Sequence, residues 1–267
     1  MEQDSNRLNK AKIDQLELKQ RAGKAVVDAM VKSGMKLGLG TGSTAIHAVR
    51  RVGELLAEGT LRDITAFATS VQTEIECEKL NIPFYTLNSR ELAGGLDLTI
   101  DGADEVDPKN NLIKGGGGAM LIEKLAAYAS EAYAIIVDES KIVDHIGYSF
   151  PVPVEVIPAA RVQATRRLEK LGANAILREA VRKAGPVITE HGNIILDIRF
   201  GTENKETEFH GYTAAIAAPA LIDPSLMETE LNLIPGVVEN GFFTGKPPVI
   251  FIACSDGTVK TRPAPKI

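Results

Sequence analysis

The sequence predicts an α/β fold: a Rossmann-like parallel sheet with helices on both faces, plus a smaller inserted α+β domain of the ferredoxin-like kind. Up to about residue 148, short apolar segments alternate with segments whose apolar residues recur at helical spacing. Beyond residue 150 the order becomes strand, helix, strand, strand, helix, strand, which is the order of a split βαβ module. We therefore place the larger domain at 1–150 and 241–267, and the smaller one at 151–240.

The elements of the larger domain are separated by glycines, prolines and polar turns. The first helix is expected to stop at Gly34, and the second to begin at Thr44, just after the glycines of "GLGTGST". The expected helices are 15–34, 44–57, 71–81 and 118–130, and the expected strands are 35–40, 64–70, 83–87, 96–101 and 132–138.

In the smaller domain, three prolines, at 151, 153 and 158, punctuate the first expected strand. The other expected elements are a helix at 161–171, strands at 174–179, 185–190 and 193–200, and a helix and a strand within 223–240. The tail, 247–262, is predicted to return to the first sheet as a strand and a turn, which makes the smaller domain an insertion. Residues 201–220 are expected to form a loop or hairpin insertion.

Composition argues against several classes of function. The chain has 267 residues, a net charge of -5 and no stripe rich in lysine and arginine, so nucleic acid is not an expected partner. Its two cysteines, Cys77 and Cys254, form no CxxC pair, which argues against a zinc site or a disulfide framework and fits a cytoplasmic protein. No apolar run approaches the roughly 18 residues of a membrane-spanning helix, so no membrane association is expected.

Three polar segments each follow a predicted strand of the larger domain: "GLGTGST" (38–44), "DGADEVD" (101–107) and "DESK" (138–141). Ligands of open parallel sheets bind outside the carboxyl ends of the strands. We therefore expect these three segments to gather at one edge of the sheet and to form the functional site.

The first segment, "GLGTGST", has the features of an anion site. Its glycines permit a tight turn, and the hydroxyls of Thr41, Ser43 and Thr44 meet the start of a helix, where free N–H groups favour phosphate. The alternative is a helix cap with structural glycines. The dinucleotide fingerprint fails because Ser43 replaces its third glycine, and the Walker pattern fails because no lysine follows the glycines.

The segment from Asp101 to Lys124 combines carboxylates, one lysine and four consecutive glycines. Its acids do not have the spacing of a calcium loop, and Lys114 would oppose a cation, so no metal site is predicted. Glu123 can share a pocket with the Lys114 ammonium and the N–H groups of the glycine run, as a general base would need. The alternative is that Glu123 is a surface acid. Glu105 and Asp107 are interpreted as acids of a solvated turn.

Lys141, in "DESK", stands just past the end of a predicted strand. Its ammonium can bind a phosphate there as a point charge, and the alternative is an ordinary solvated lysine. No GxSxG or HExxH pattern occurs, so the common signals of hydrolases are missing.

With these segments identified, the chain resembles the type A family of ribose-5-phosphate isomerases. The resemblance covers nearly the whole chain and rests on six segments in the family's order: "GLGTGST", "DGADEVD", "KGGGGAMLIEK", "DESK", "PVEVIPAA" and "IPGVVENGFF". Six matches in register are far more specific than any single one. Residues 201–220 depart from the compact family pattern. This departure affects what the resemblance implies about oligomer contacts more than what it implies about the chemistry.

The resemblance implies an aldose–ketose isomerase that interconverts ribose 5-phosphate and ribulose 5-phosphate in the non-oxidative pentose phosphate pathway. It implies no cofactor, no metal ion, and a homodimer or homotetramer. The implied catalytic residues are the base Glu123, with Asp101, Asp104 and Lys114. The implied substrate-binding residues are Thr41, Gly42, Ser43, Thr44, Asp101, Gly102, Ala103, Asp104, Lys114, Gly115, Gly116, Gly117, Lys141 and Lys19.

Within that resemblance each catalytic group has an expected role. Glu123 would move the proton, while Lys114 and the N–H groups of the glycine run would stabilise the enediolate. Asp101 would exchange protons with the sugar hydroxyls and help to open the furanose ring, and Asp104 would orient the sugar and Lys114.

Three other functions are compatible with parts of the sequence. A sugar-phosphate deaminase or lactonase would use a related scaffold on other phosphosugars. A sugar-phosphate sensor would need a DNA-binding partner domain, and the polar first dozen residues are too short to be one. A nucleotide-binding module is the third alternative, which the incomplete glycine fingerprint does not support.

Overall fold

The computed structural model of the chain describes residues 2–200, 207–209, 212–214 and 222–265. Its helices are α1 (Glu2–Met30), α2 (Ala45–Ala57), α3 (Val71–Lys79), α4 (Met120–Tyr128), α5 (Arg161–Lys170) and α6 (Pro224–Asn232). None of these described helices is both long and apolar enough to cross a membrane.

The strands fall into a first group before residue 140 and a second group after it. The first group is β1 (Lys36–Leu39), β2 (Thr65–Ala68), β3 (Leu96–Gly102), β4 (Glu105–Val106), β5 (Leu112–Ile113) and β6 (Ser130–Asp138). The second group is β7 (Val152–Val156), β8 (Ala173–Leu177), β9 (Ile194–Phe200), β10 (Thr207–Phe209), β11 (Tyr212–Ala214), β12 (Val237–Asn240), β13 (Phe242–Phe243), β14 (Val249–Ala253) and β15 (Val259–Arg262).

The chain divides into two compact units. The first unit consists of residues 1–103, 122–142 and 246–267, and the second of residues 104–121 and 143–245. The domain limits at residues 150 and 241 stay predictions, since they come from sequence pattern and this division comes from contacts.

The first unit contains a six-stranded sheet in the order β15-β14-β6-β3-β1-β2. All neighbouring strands run parallel except the β14–β15 pair, which is antiparallel. One face, with Leu37, Leu98 and Ile136, belongs to a core shared with α1 and α2. On the opposite face, the Thr99 hydroxyl donates to the carbonyl oxygen of Ala126 on α4. The predicted parallel sheet with helices on both faces is confirmed.

The second unit contains an antiparallel four-stranded sheet in the order β12-β7-β9-β8. With α5 between β7 and β8, and α6 before β12, this is the strand order of the predicted ferredoxin-like module, which is confirmed. Valines 152, 154 and 156 on β7 are fully buried and share a core with Leu168 of α5 and Leu231 of α6. A further sheet, in the order β13-β5-β4, was not predicted.

Two expected strands are reduced to isolated bridges. In 83–87, only Phe84 pairs, with Ala66 of β2. In 185–190, the contacts shrink to two bridges because Pro186 has no N–H to donate and Gly185 has a left-handed φ of 109°. The tail, by contrast, forms a complete hairpin of β14 and β15 rather than a strand and a turn.

Only part of the expected insertion at 201–220 is described. There, β10 and β11 pair antiparallel, with Thr207 opposite Ala214 and Phe209 opposite Tyr212. The remainder of that prediction lies outside the described residues.

Candidate active site

The carboxyl ends of β1, β3 and β6 lie side by side in the first unit. These strands are parallel neighbours, so the segments that follow Leu39, Gly102 and Asp138 leave the sheet at the same edge. Each of the three polar segments singled out in the sequence begins at this edge.

Asp101 lies at the end of β3 with no exposed surface. Its Oδ1 accepts hydrogen bonds from the backbone N–H of Thr41, at 3.1 Å, and of Gly102, at 2.7 Å. Gly40 makes room for this carboxylate, since a Cβ atom at position 40 would lie 2.1 Å from the same oxygen. The glycine that follows β1 therefore serves the placement of Asp101 as well as the turn.

Hydroxyl and amide groups that follow β2 support the loop at 40–44. The Thr41 hydroxyl lies 2.7 Å from the hydroxyls of both Thr69 and Ser70, and the Gly42 N–H donates to Oε1 of Gln72 at 3.0 Å. Sequence reasoning did not select Thr69, Ser70 or Gln72. Their signal was available, because "TSVQ" follows a strand whose carboxyl end reaches this same edge.

Lys19 of α1 reaches the same loop, with its ammonium donating to the Ser43 hydroxyl at 3.0 Å. Thr44 occupies the N-cap position of α2, yet its side chain makes no capping hydrogen bond. Burial, followed by the positive charges of Arg50 and Lys19, lowers the pKa of His47. The loop therefore places the hydroxyls of Ser43 and Thr44 near the positive charges of Lys19 and Arg50. This combination suits the binding of an anion.

Glu123 lies in the first turn of α4 and is 4% exposed. One turn later on the same helix, Ala126 accepts the hydrogen bond from Thr99. Thr99 and Asp101 are two residues apart on β3 and so point to the same face of the sheet. The face of α4 that carries Glu123 therefore lies over the face of the sheet that carries Asp101.

Tyr133 of β6 belongs to this same face, because it is in register with Thr99 of the parallel strand β3. It is 4% exposed, and its hydroxyl has no hydrogen-bond partner among the described residues. Burial, then the charges of Asp101 and Glu123, raise its pKa well above the usual value. The phenol therefore stays protonated, and sequence reasoning did not select it.

Lys141 ends a short 3-10 helix, Glu139–Lys141, that directly follows β6. The carboxylate of Asp138 caps this turn by accepting from the Ser140 N–H at 2.9 Å. Lys141 is half-buried, as are Gly102 and Ala103 at the end of β3. All three residues thus stand at the edge where the sequence placed them.

The remaining candidate residues lie in the second unit. Lys114 is 3% exposed, its N–H donates to the Gly241 carbonyl at 2.9 Å, and its ammonium lies 5.6 Å from the centre of the Phe243 ring. Asp104 is fixed by its own N–H, which donates to the Ile113 carbonyl at 2.8 Å.

The glycine run, Gly115–Gly117, forms a tight turn that closes at Gly118. Gly115 and Gly118 have left-handed φ angles of 97° and 83°, and the Gly118 N–H donates to the Gly115 carbonyl at 2.9 Å. The Gly116 N–H donates to Oδ2 of Asp104 at 2.8 Å. The sequence-based prediction gave all these N–H groups to the enediolate. The Gly116 N–H donates to Asp104 in this structure, and the role of the run stays a prediction. Within the described residues, the Gly117 N–H has no acceptor.

A buried ion pair that the sequence did not reveal contacts this run. Arg178, just after β8, pairs with Asp197 of β9 and donates to the carbonyl oxygens of Gly115 and Gly116. The sequence offered one sign of this pair. Arg178 lies near the end of the expected strand 174–179, and Asp197 lies within the expected strand 193–200.

Glu105 corrects a second prediction. The sequence placed it in a solvated turn, which is wrong: it is 2% exposed, and it accepts from the N–H groups of Gly147 and Phe150, both at 2.6 Å, and from Ser149. Asp107 does form the predicted turn, accepting from the N–H groups of Lys109 and Asn111, although it is buried too.

Across the residues that the structure describes, no group of three or more His, Cys, Asp or Glu side chains is arranged to hold a metal ion. The first unit offers buried carboxylates, hydroxyls and backbone N–H groups, and the second offers a buried lysine and the N–H groups of the glycine run. Such groups can bind a phosphate, move protons and stabilise developing negative charge.

Comparison with known proteins agrees with these features. The family described as Ribose 5-phosphate isomerase A (phosphoriboisomerase A) matches residues 65–257. The Ribose-5-phosphate isomerase A of Treponema denticola is 46% identical over 253 residues, which cover 93% of this chain and 99% of that protein.

Solved structures lead to the same family. The ribose 5-phosphate isomerase A of Methanocaldococcus jannaschii has a TM-score of 0.79 and 37% identity, with 92% of this chain and 98% of that chain covered. A D-ribose-5-phosphate isomerase in complex with phospho-erythronic acid has a TM-score of 0.81, also at 37% identity and the same coverage. The chain therefore belongs to the ribose 5-phosphate isomerase A family.

Proposed function

We propose that this chain interconverts D-ribose 5-phosphate and D-ribulose 5-phosphate, an aldose–ketose isomerisation of the non-oxidative pentose phosphate pathway. The observation that carries the proposal is that two buried carboxylates, Asp101 and Glu123, share one face of the first unit with a hydroxyl-rich loop to which Lys19 is bonded. An isomerase of phosphosugars needs these two components, a phosphate anchor and a proton carrier. Family membership identifies the sugar.

In this proposal the loop at 41–44 holds the phosphate. The N–H and hydroxyl groups of Ser43 and Thr44 donate to the phosphate oxygens, while Lys19 and Lys141 supply positive charge. Thr41 and Gly42, whose N–H groups donate to Asp101 and Gln72, give the loop its shape around the phosphate. Binding the phosphate fixes the reacting carbons relative to the carboxylates. Positioning of this kind can lower the barrier by several kcal/mol, up to roughly 7–11 kcal/mol in ideal cases.

Glu123 acts as the base that carries the proton. It removes the proton from carbon 2 of the open-chain aldose, the electron pair of that C–H bond becomes the second bond between carbons 1 and 2, and the π pair of the carbon 1 carbonyl moves onto O1. Glu123 then returns the proton to carbon 1 while the C=O bond forms at carbon 2, and the hydroxyl proton lost from O2 is replaced by one gained at O1, which yields the ketose. Asp101 exchanges protons with the sugar hydroxyls and assists opening of the furanose ring, with Gly102 and Ala103 lining its side of the sugar.

The enediolate intermediate carries negative charge on its oxygens. The ammonium of Lys114 and the N–H of Gly117 stabilise that charge, while Asp104 holds the Gly116 N–H and thereby keeps Gly115–Gly117 in shape. The proposal uses no cofactor and no metal ion.

The ligand of one structural relative gives a probe. Phospho-erythronic acid, bound in that protein, has a phosphate and a carboxylate on a four-carbon chain. Its planar carboxylate resembles the planar enediolate, so we expect it to bind this chain as an intermediate analogue. We also propose that the protein acts in the cytoplasm as a homodimer or homotetramer, without nucleic acid, which analytical ultracentrifugation at several protein concentrations would test for the oligomer.

The proposal is tested by measuring conversion of ribose 5-phosphate in EDTA for the wild type and for Glu123→Gln. We expect the wild type to be active and Glu123→Gln to lose about 10²–10⁴-fold in kcat while still binding phospho-erythronic acid in calorimetry. Glu131→Gln, which changes an exposed acid of the same unit, is the control and should keep full activity.

Three outcomes separate the alternatives. A wild type that binds the sugar phosphate without converting it would indicate a sensor or a relative with another substrate. Loss of activity in EDTA that returns with a divalent cation would contradict metal-independent proton transfer. A fully active Glu123→Gln variant would move the role of base to another carboxylate, with Asp101 tested next.

A further inference from the structure

We propose that the buried ion pair of Arg178 and Asp197 is a positioning element that fixes Gly115–Gly117 and thereby sets kcat. This inference rests on the proposed function, because the orientation of the Gly117 N–H affects the rate only if that N–H donates to the enediolate. Neither residue touches the substrate in the proposal, and both act through the backbone of the glycine run.

The contacts all lie within the second unit. Nη1 of Arg178 donates to the Gly115 carbonyl at 2.9 Å and to the Gly116 carbonyl at 3.2 Å. Its Nε donates to Oδ2 of Asp197 at 2.8 Å, and its Nη2 to the other carboxylate oxygen. The side chains of Arg178 and Asp197 are 4% and 5% exposed. One guanidinium thus joins strand β9 to two consecutive peptide groups of the run.

Peptide geometry turns these contacts into an orientation. A peptide group is planar and trans, so its carbonyl and the following N–H point in opposite directions. The peptide from Gly115 to Gly116 is held at both ends, its carbonyl by Arg178 and its N–H by Asp104. The next peptide has its Gly116 carbonyl on Arg178, so its N–H, which belongs to Gly117, is directed away from Arg178.

Glycine makes such an external anchor necessary. Because it lacks a Cβ atom, glycine adopts many backbone conformations with little preference, so a run of them does not hold one shape by itself. Side chains cannot replace Gly115 and Gly116, since a Cβ at Gly115 would lie 2.8 Å from Cβ of Met120 and one at Gly116 would lie 2.7 Å from Oδ1 of Asp104. The run therefore depends on Arg178 and Asp104 for its order.

The chemistry of the pair favours arginine. A guanidinium is planar and presents several N–H groups in a fixed fork, so it can bind a carboxylate with two nitrogens and still donate to carbonyl groups. A lysine ammonium cannot reproduce that geometry. Burying the charge also requires Asp197 as its partner, because an unpaired charge in the interior is strongly destabilising.

The test compares Arg178→Lys and Asp197→Asn with a matched control, Glu155→Gln. Glu155 is a buried carboxylate of β7, beside β9 in the same sheet, and it binds Thr189 and Asn193 rather than the glycine run. We expect the first two variants to lose about 10²-fold in kcat, as for a small misplacement of a catalytic group. KM should stay within about threefold, and Glu155→Gln should keep wild-type kcat even if its stability falls.

A second measurement does not depend on catalysis. Hydrogen–deuterium exchange of the peptide that contains residues 114–118 reports the protection of the Gly116 and Gly118 N–H groups. We expect faster exchange there in Arg178→Lys and Asp197→Asn, and wild-type exchange in Glu155→Gln. If the wild type fails to isomerise ribose 5-phosphate, the proposed function fails, and this exchange pattern still decides whether the pair orders the run.

Two results would overturn the inference. One is wild-type kcat in a folded Arg178→Lys or Asp197→Asn variant. The other is a loss of kcat that is equal in Glu155→Gln and simply follows stability. If neither variant folds, Asp197→Glu decides the matter, because it keeps the negative charge beside Arg178 and displaces only the anchor of the guanidinium.

Discussion

The Oδ1 atom of Asp101 lies 3.1 Å from the backbone nitrogen of Thr41, whose N–H donates to it. This bond joins the end of β3 to the loop that follows β1, so the carboxylate proposed to exchange protons with the sugar is fixed to the loop proposed to hold its phosphate. A displacement of either residue should therefore disturb both binding and chemistry.

Gly40→Ala tests this coupling. The new Cβ would lie 2.1 Å from Oδ1 of Asp101 and 2.6 Å from its Cβ, so the carboxylate must move. We expect kcat to fall by about 10²-fold or more and the free energy of unfolding to fall by about 1–3 kcal/mol, as for an overpacked core. Steady-state kinetics and urea denaturation measure the two effects.

Gly94→Ala is the control for Gly40→Ala. Its new Cβ would meet only the flexible end of Lys36, at 3.6 Å, so kinetics and stability should stay close to wild type. Wild-type kcat in Gly40→Ala would show that Asp101 need not hold its present position.

Lys19→Met should separate binding from chemistry. The Lys19 ammonium donates to Ser43 in the loop proposed for the phosphate, and the proposal gives it no part in moving protons. We expect KM for ribose 5-phosphate to rise about tenfold, with kcat within about threefold of wild type, since uniform binding is lost. Lys24→Met, which removes an exposed lysine from the same helix, should leave both constants unchanged. A fall in kcat with unchanged KM would assign Lys19 to the chemistry.

Tyr133→Phe removes a buried hydroxyl that has no hydrogen-bond partner among the described residues. Burying such a group costs about 1–3 kcal/mol, so its removal should leave the free energy of unfolding unchanged or raise it by about 1 kcal/mol. Chemical denaturation measures the change, with Tyr85→Phe at an exposed tyrosine as the control. A clear loss of stability would mean that the hydroxyl is satisfied in the native protein.

The buried thiol of Cys77 should make the free energy of unfolding depend on pH in the alkaline range. Burial, followed by the charges of Glu74 and Glu76, raises the pKa of its thiol from 9.0 to about 12. Above the lower value the unfolded chain releases this proton and the folded chain keeps it, so stability should be level at lower pH and fall from about pH 9 to about pH 12. Urea denaturation at stepped pH should show a shallower fall in Cys77→Ala. An identical slope in that variant would contradict the assignment.

The sequence predicted the fold because its signals are local and periodic. Apolar strands such as 96–101 and helices such as 44–57 repeat over enough residues to be recognised. Strands β4, β5 and β13 have two residues each, which is too short for any periodicity. Segment 83–87 has strand composition, but only Phe84 finds a partner, and composition carries no information about pairing.

The site divides in the same way. Loops such as 38–44 were recognisable, because glycines and hydroxyls next to a strand end have a local meaning. Arg178 and Glu105 were not, since their roles depend on partners 63 and 42 residues away, at Gly115 and Gly147. A single sequence gives the charge of such a residue but not the backbone groups that it meets after folding.

The anchors of the glycine run also affect how variation along this chain should be interpreted. Every residue proposed to touch the substrate lies between Lys19 and Lys141, which invites the view that the later half of the chain is only scaffold. Yet the guanidinium that holds Gly115 and Gly116 comes from position 178, and its carboxylate from position 197. A clinical, environmental or laboratory allele altered at either position should therefore be classed with alleles of the catalytic segment, although it lies far beyond it in the gene.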